Sequence, residues 1–418
     1  MPQVKSIKGV PLSSLAMGVL SGVGGFLDFG GIISYTGAGA QFRYALLWTL
    51  IPGVIGFSLF AEMSGRIAIS SGRPMFDVIR ARLGARLALV PLLITVAVNI
   101  LTLLIELAGM TLALQLVTQL HYLVWMLPAA ALIVFMLWKA SFETMENIAT
   151  TLGLTMLVAV VAAVATHPPW GHIAVSVGHP ALASMQAHPL TLYLFTVASL
   201  LGAYMTPYQF AFYSSGALEE RWGGKDLLTN RVTAIVGPAV GSLLSLALMI
   251  LGAAVLFPRH ISVNMLADAA LPARAQLGLV GWLIFVFAVF TLSMGAALEA
   301  ALSGSYEVCQ YFGWDWGKAA RPHRAPLFHL AYVGMLLLAL ALAFTGVDPI
   351  QVTTFSLAIG AFSLPFMFVP LLIVANDREY MGEQKNTLAT NITAGLVLAL
   401  LIAVTVFTIP LMILSGKT

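Results

Sequence analysis

The sequence predicts an all-α membrane protein, and its composition, its long apolar runs and two interruptions in those runs indicate this. Of its 418 residues, 60% are hydrophobic and only 9% are charged. Soluble domains carry about 25% charged residues. The mean hydropathy of +0.95 points the same way. Apolar runs of roughly 20 residues, the length that crosses a bilayer, recur along the whole chain.

Eleven membrane spans are predicted from these runs, and two of them are interrupted. Each run meets the length that a helix needs to cross the hydrocarbon core. The predicted spans cover about 12–40 (interrupted), 44–70, 87–118, 122–139, 145–166, 188–213 (interrupted), 231–257, 277–308, 326–345, 350–375 and 388–414.

The placement of Lys and Arg predicts that the N-terminus is cytoplasmic. Cytoplasmic loops of membrane proteins carry an excess of these residues. With the N-terminus inside, sixteen of the twenty Lys and Arg fall in inner loops. The outer side then keeps Arg43, Arg259, Arg274 and Lys417. We expect a multi-pass protein of the cell's inner (plasma) membrane, a monomer that contacts the lipid bilayer.

Several functional classes find no support in the sequence. There is no phosphate-binding glycine loop, no ATPase module and no nucleophile–base motif, so we expect neither a pump nor an enzyme, and no cofactor. The single cysteine, Cys309, excludes an intramolecular disulfide and a thiolate cluster. The net charge of +3 gives no sign of nucleic-acid binding, because the basic residues sit in short loops. No cleavable signal peptide is evident.

The first interruption is centred on Asp28, in the glycine-rich stretch 22–33. Glycines allow the backbone to leave helical geometry. Non-helical backbone at membrane depth is tolerated where it lines a cavity or is buried in protein. We therefore predict a break at 27–31 with Asp28 turned toward a substrate. The alternative is a continuous, glycine-packed helix whose Asp28 pairs with a neighbouring helix.

The second interruption is at 200–209, where Pro207 removes a helical hydrogen bond. It lies five spans after the first. Interrupted helices at corresponding positions of two halves point to a transporter site at a repeat interface. We predict one transmembrane domain, 1–418, with repeat one at about 12–166, repeat two at about 188–375 and an extra helix at about 388–414. An ordinary proline kink is the alternative.

Two further carboxylates fall within predicted spans, Glu106 and Glu299. The helical neighbours of each are small, polar or apolar residues suited to helix packing, so both are predicted to face protein. A protonated carboxyl bonded to a nearby carbonyl is the structural alternative for each. Four others near inner span ends are predicted to be interfacial or gate charges: Glu62, Glu143, Glu146 and Glu307.

Several of these segments resemble motifs of the NRAMP family of divalent-metal transporters, which have the LeuT-like fold. The resemblance covers about residues 12–410, in order. It implies two inverted five-helix repeats plus an eleventh helix, with helices 1 and 6 broken. The segments that carry it are 27–32 (Leu-Asp-Phe-Gly-Gly-Ile), 38–48, 105–109 around the glutamate, 202–208 (Gly-Ala-Tyr-Met-Thr-Pro-Tyr), 348–349, 362–366 and 381–386.

The resemblance implies a metal site, and the departures from the family pattern imply its chemistry. In the family an Asp, an Asn, a helix-6 carbonyl and a methionine thioether bind the metal. Asp28 and the Ala203 carbonyl remain here, whereas Gly31 stands at the Asn position and Thr206 at the Met position. The thioether is the ligand that favours soft metals, so its loss leaves oxygen donors.

Three more family positions differ in this chain. Leu357 aligns with a helix-10 glutamine, Tyr208 with the helix-6 histidine, and Leu103 with an acidic residue that precedes the helix-3 glutamate. The last two substitutions remove titratable groups from the family's proton path. The chain is therefore similar to the NRAMP-related magnesium transporters.

The sequence thus predicts transport of a hard divalent cation, Mg²⁺ or Mn²⁺, by alternating access without obligatory proton coupling. The rivals are a transporter of a small organic solute on the same fold, and a sensor or scaffold with a frozen transporter fold. The predicted metal-site residues are Asp28, Gly31, Ala203, Thr206 and Glu299, and the proton or gate candidates are Glu106 and Tyr208.

Overall fold

The computed structural model describes residues 6–7, 10–11, 27–178, 189–318 and 320–414, and nearly all of them are helical. Two short strands, β1 (Ser6–Ile7) and β2 (Val10–Pro11), form an antiparallel pair that the sequence did not predict. The first part of predicted span 1, 12–26, lies outside the described residues.

Sixteen α-helices form the described part of the chain. Short 3₁₀ or π turns extend several of them, notably the π segment Gly252–Leu256. The helices are α1 Phe29–Phe42, α2 Leu50–Ser71, α3 Met75–Leu83, α4 Ala85–Thr118, α5 Tyr122–Lys139, α6 Phe142–Gly153, α7 Leu157–Ala165, α8 Trp170–Gly178, α9 Leu190–Tyr204, α10 Pro207–Glu219, α11 Leu227–Leu251, α12 Leu266–Phe312, α13 Pro326–Ala343, α14 Pro349–Ala375, α15 Arg378–Met381 and α16 Leu388–Leu414.

The helices agree with the predicted spans in order and differ at several boundaries. In the described ranges, eight helices are long and apolar enough to cross a membrane, or up to ten if each of two bent pairs is one span. The helix of predicted span 2 begins at Leu50, six residues later than expected. Predicted span 5 is divided between α6 and α7 by a 3₁₀ turn, Leu154–Met156.

Helix α12 is longer than the predicted span 277–308, because an additional helical segment precedes it. Gly278 joins the two parts with φ 67° and ψ −156°. Residues with a side chain rarely adopt this conformation, whereas glycine adopts it without steric cost. The membrane span therefore starts after this kink, close to where the sequence places it.

The centre of the protein is formed by α4 and α12, which pack against each other more extensively than any other described pair. Glu106 lies on α4 and Glu299 on α12, and both are buried. The helices α1, α10 and α14 pack against this pair. The two carboxylates are therefore held on rigid elements beside both predicted breaks.

Charged contacts fasten the loops on the side to which the sequence assigns most Lys and Arg. Arg73 pairs with Asp77 at 2.7 Å, and hydrogen bonding to that carboxylate raises the pKa of Arg73. Arg82 pairs with Asp377. The pKa of Asp377 is lowered, first by the N–H of Glu379 and then by Arg82.

Helix α1 approaches the end of α11 closely because glycines face each other. A Cβ at Gly39 would lie 2.9 Å from the Ala253 nitrogen, and one at Gly252 would lie 2.8 Å from the Ala40 nitrogen. These neighbours are backbone atoms, so they cannot rotate away. Small residues at both positions therefore fix α1 against the π segment.

Replacing Gly252 by Val is expected to lower the thermal stability of the purified protein clearly, because overpacking of a fixed contact costs about 1–3 kcal/mol. The matched control is Gly334→Val in α13, where an added Cβ meets no atom within 4 Å. Thermal unfolding in detergent measures both. Equal unfolding temperatures for the two variants would contradict this account of α1 packing.

Candidate functional site

The first predicted break contains a helix start at the expected position. Helix α1 begins at Phe29, and Asp28 is its N-cap with extended backbone (φ −80°, ψ 179°). The Asp28 carboxylate accepts a hydrogen bond from the Gly31 N–H at 2.6 Å. A side-chain acceptor at this position satisfies one of the amide groups that a helix start leaves unpaired.

A second carboxylate reaches the same helix start from α4. Glu106 accepts a hydrogen bond from the Phe29 N–H at 3.2 Å. Its helix packs closely here, because a Cβ at Gly109 would lie 2.8 Å from Phe29. Both side chains are buried, with Asp28 4% and Glu106 0% exposed. The partial positive charge of the helix start favours two acidic groups at this point.

The second break separates α9 from α10. Met205 (φ −134°, ψ 83°) and Thr206 (φ −89°, ψ 131°) leave helical geometry, and α10 restarts with Pro207 in its first turn. The residue four positions after Ala203 is Pro207, which has no N–H to donate. The intrahelical bond to the Ala203 carbonyl is therefore missing, so a true break is present and not only a kink.

The second break has an unpaired hydroxyl oxygen, whereas the sulfur of its methionine packs against a neighbouring helix. The Thr206 hydroxyl is buried and has no hydrogen-bond partner in the described part of the protein. The Met205 sulfur packs against Gly56 of α2, where an added Cβ would lie 2.6 Å from it. The thioether nearest to Thr206 in sequence is therefore committed to helix packing.

Leu357 of α14 lies between the two breaks. A Cβ at Gly30 would be 3.5 Å from the Leu357 side chain, and one at Gly202 would be 2.7 Å from the Leu357 carbonyl. The start of α1 and the end of α9 thus share one neighbour. At the position that the resemblance assigns to a glutamine, the side chain offers no polar donor.

Glu299 of α12 is buried and has no partner for either carboxylate oxygen among the described residues. The hydrogen bond to a carbonyl, which was the structural alternative for Glu299, is absent there. Asp28 and Tyr208 lie within electrostatic range of Glu299. One turn further along α12, the Ser303 hydroxyl donates to the Tyr208 carbonyl at 2.5 Å. Helix α12 therefore presents Glu299 beside both breaks, on the protein-facing side that the sequence predicts.

The prediction that Glu307 is interfacial is wrong. Its side chain is 0% exposed and accepts a hydrogen bond from Asn99 at 3.0 Å. The prediction placed Glu307 near the end of its span, but α12 continues to Phe312 and buries it. Glu62 lies at an accessible cavity and is paired with Arg66. The side chains of Glu143 and Glu146 lie outside the described ones.

A cavity of about 480 Å³ leads toward the breaks. It is bounded by α1, α9, α14 and the 260–264 segment, and its lining includes Leu357. The lining is partly polar, with Ser34, Gln41, Ser199 and Thr354 among its residues. The cavity thus gives access from the side on which α1 ends to the residue that contacts both breaks.

Buried aromatic side chains lie on the opposite side of the second break. Phe60 stacks on Phe368 at 3.7 Å, and Phe210 of α10 packs against both Phe57 and Phe368. All four are almost fully buried. In this conformation the two breaks are therefore accessible from one side, whereas packed aromatic side chains close the other side.

The described residues contain no group of three or more His, Cys, Asp or Glu side chains that could hold a metal ion. An ion between the breaks would need a mixed set of donors: the Asp28 carboxylate, backbone carbonyl oxygen and the Thr206 hydroxyl. Oxygen donors of this kind suit hard cations.

Two features near the site were not singled out in the sequence. Gln209 is completely buried beside Tyr208, and an amide in an apolar, aromatic segment was the available signal. Tyr35 of α1 stacks on Tyr204 of α9 at 5.1 Å between ring centroids. No local pattern pairs two tyrosines that are so far apart in sequence.

The arrangement is that of a membrane transporter with two interrupted helices around one site. The particular family follows from comparison with known proteins: the chain belongs to the Nramp family, because the model described as natural resistance-associated macrophage protein-like matches residues 18–410.

Curated relatives and solved structures agree with this assignment. The divalent metal cation transporter MntH of Staphylococcus saprophyticus is 24% identical over 415 residues, covering 95% of this chain and 91% of the relative. That of Pediococcus pentosaceus is 26% identical over 386 residues, covering 87% and 83%.

Among solved structures, the Eremococcus coleocola manganese transporter has a TM-score of 0.76 at 18% identity, covering 96% of this chain and 87% of the other. The nucleobase-cation-symport-1 family transporter Mhp1 has a TM-score of 0.61 at 14% identity, covering 99% and 94%. These similarities establish the LeuT-like fold with its broken helices 1 and 6.

Proposed function

We propose that this protein transports a hard divalent cation, Mg²⁺ or Mn²⁺, by alternating access. The observation that carries the proposal is the buried Asp28 carboxylate at the start of α1. Leu357 joins this helix start to the second break, where the Thr206 hydroxyl has no partner among the described residues. Family membership and the relatives named as divalent metal cation transporters support the same class of substrate.

The proposed ligands are the Asp28 carboxylate, the Ala203 carbonyl and the Thr206 hydroxyl. Gly31 leaves room for an ion that keeps part of its water shell, as Mg²⁺ prefers. Glu299 supplies a second carboxylate, since neither of its oxygens has a partner in the described part of the chain. Its interaction with the ion is direct or through water.

Transport of an organic solute is not favoured. Mhp1 shares the architecture, and its structure contains bromovinylhydantoin. The Nramp model, however, matches nearly the whole chain, and the relatives are named for divalent metals. Fold alone does not determine the substrate, so the site residues and the family decide this question.

We further propose a plasma-membrane protein with a cytoplasmic N-terminus, acting as a monomer without a cofactor. The helix order supports this orientation, because the loops that follow α2, α5, α10, α12 and α14 then lie on the same side. Those loops carry most of the Lys and Arg residues. The 480 Å³ cavity then opens to the outside.

Asp28→Asn is expected to reduce Mg²⁺ and Mn²⁺ transport to background, because it keeps the shape of the side chain and removes its charge. Calorimetry on the purified protein and flux into proteoliposomes measure binding and transport. Asp315→Asn, at an exposed loop position, is the matched control and should leave both unchanged. Normal transport by a folded Asp28→Asn variant would overturn the proposed site.

Thr206→Met is expected to shift preference toward Cd²⁺ by roughly tenfold, the order of a single exchange of oxygen for thioether. The native protein should bind Cd²⁺ no better than Mn²⁺. Thr206→Val removes the hydroxyl without adding sulfur and should show no gain for Cd²⁺. A native protein that strongly prefers Cd²⁺ would contradict an oxygen-only site.

Transport is expected to proceed without obligatory proton coupling, because Tyr208 and Leu103 occupy the family's relay positions. Tyrosine has a reference pKa of about 10 and leucine does not titrate, so neither carries protons readily near neutral pH. The measurement is intravesicular pH during metal influx at a clamped membrane potential. Acidification that follows the metal gradient and disappears in Glu106→Gln or Glu299→Gln would refute this and identify the carrier.

A further inference from the structure

A second cavity, of about 540 Å³, lies on the opposite side of the protein from the first. It is bounded by α2, by α11 and by the segment that leads into α16. We call it the inner groove. Its lining residues are Val54, Ile55, Ser58, Leu59, Glu62, Arg66, Arg231, Ile235, Glu383, Gln384, Lys385, Asn386, Thr387 and Thr390.

The inner groove is charged at one end and apolar at the other. Along α2 it runs from Arg66 to Val54, a rise of roughly 18 Å for twelve residues. Arg66 lies near the inner end of α2, whereas Val54 and Ile55 lie deeper in the membrane span. On α11, Arg231 is one turn from the helix start and Ile235 is one turn deeper.

Arg66 is not available to a ligand, because the protein already satisfies it. It pairs with Glu62 at 2.9 Å, donates to the Asn386 side chain at 2.7 Å and also donates to the Gln384 carbonyl. The Arg66–Glu62 pair is therefore neutral and fixed at the base of the inner groove. It also ties α2 to the segment before α16.

Two other cations are available. Arg231 and Lys385 are both exposed, and neither side chain has a hydrogen bond or ion pair within the described ranges. Glu383 is the exposed carboxylate of the same lining. The accessible charge is therefore positive by one, with the hydroxyls of Thr387 and Thr390 beside it.

The apolar part of the groove opens sideways to the surroundings of the helices. Ile55 is 43% exposed and Ile235 is 54% exposed, at a depth where helices face lipid chains. A soluble anion has no apolar part that could pack against this wall. A phospholipid supplies both a phosphate for the cations and a chain for the apolar wall.

We propose that the inner groove binds an anionic phospholipid of the inner leaflet. Its phosphate lies between Arg231 and Lys385, and one acyl chain lies against Ile55, Leu59 and Ile235. Basic pockets between membrane helices on the cytoplasmic side suit such headgroups. This proposal is independent of which ion the protein transports.

Binding there would favour the present conformation. The lipid bridges α11 and the segment before α16 across α2. Helix α2 also packs on the second break, because an added Cβ at Gly53 would lie 2.5 Å from the Tyr204 ring and one at Gly56 would lie 2.6 Å from the Met205 sulfur. A ligand that binds one conformation and not another stabilises it by an amount that grows with the logarithm of the ligand concentration relative to its Kd.

The test is lipid binding to the purified full-length protein in detergent, followed by native mass spectrometry and thermal unfolding. Phosphatidylglycerol should bind and raise the unfolding temperature, whereas phosphatidylcholine should do so weakly. Arg231→Gln combined with Lys385→Gln should weaken phosphatidylglycerol binding by roughly tenfold or more, since each cation contributes to headgroup attraction. Ile55→Trp, which fills the apolar wall, should weaken it independently.

The matched control is Lys225→Gln combined with Arg321→Gln, which removes two exposed charges on the same side outside the groove. Equal weakening by this control would overturn the proposal in favour of general charge attraction. Glycerol phosphate or inorganic phosphate that stabilises as well as the lipid would instead indicate a soluble anion site. Equal binding of phosphatidylcholine would also refute it.

Discussion

The structure depends on a carboxylate buried at the start of a helix inside the membrane. Burying a charge costs much free energy unless hydrogen bonds or opposite charge compensate it. The unpaired amide groups at the start of α1 compensate the buried charge of Asp28, which accepts a hydrogen bond from one of them. Glu106 accepts a hydrogen bond from a second amide group at the same helix start. The helix must therefore begin at this depth, and the neighbouring helices are arranged around that start.

Close packing keeps this start in place. Small residues allow close approach on both sides: Gly39 meets the backbone of the π segment, and Gly109 meets the side chain of Phe29. Leu357 fills the space between the start of α1 and the end of α9. These contacts leave few ways for α1 to shift without moving its neighbours. Alternating access on this fold accordingly requires that helices move as packed groups.

The departures from the family pattern act on the chemistry and leave the architecture unchanged. By the resemblance, Thr206 stands in place of a thioether and Leu357 in place of an amide, and both substitutions change side-chain donors without changing the fold. The LeuT-like fold tolerates this because backbone geometry creates its breaks, through Pro207 and the capping by Asp28. The ligand set is then free to change, which is consistent with fold and substrate specificity varying separately.

Much of this protein was determined by sequence alone. Apolar runs of bilayer length indicated the spans, Pro207 and the glycines around Asp28 indicated both breaks, and small helical faces indicated that Glu106 and Glu299 point into protein. These are local properties, and local hydrogen bonding and hydrophobicity decide them.

Only the tertiary structure decided which groups meet across helices: the Phe29 amide with Glu106, Leu357 with both breaks, and Tyr35 with Tyr204. It also buried Glu307, which position along the chain had placed at the membrane surface. The physical reason is that such contacts depend on the rotation, length and bending of separate helices, which packing of the whole chain sets.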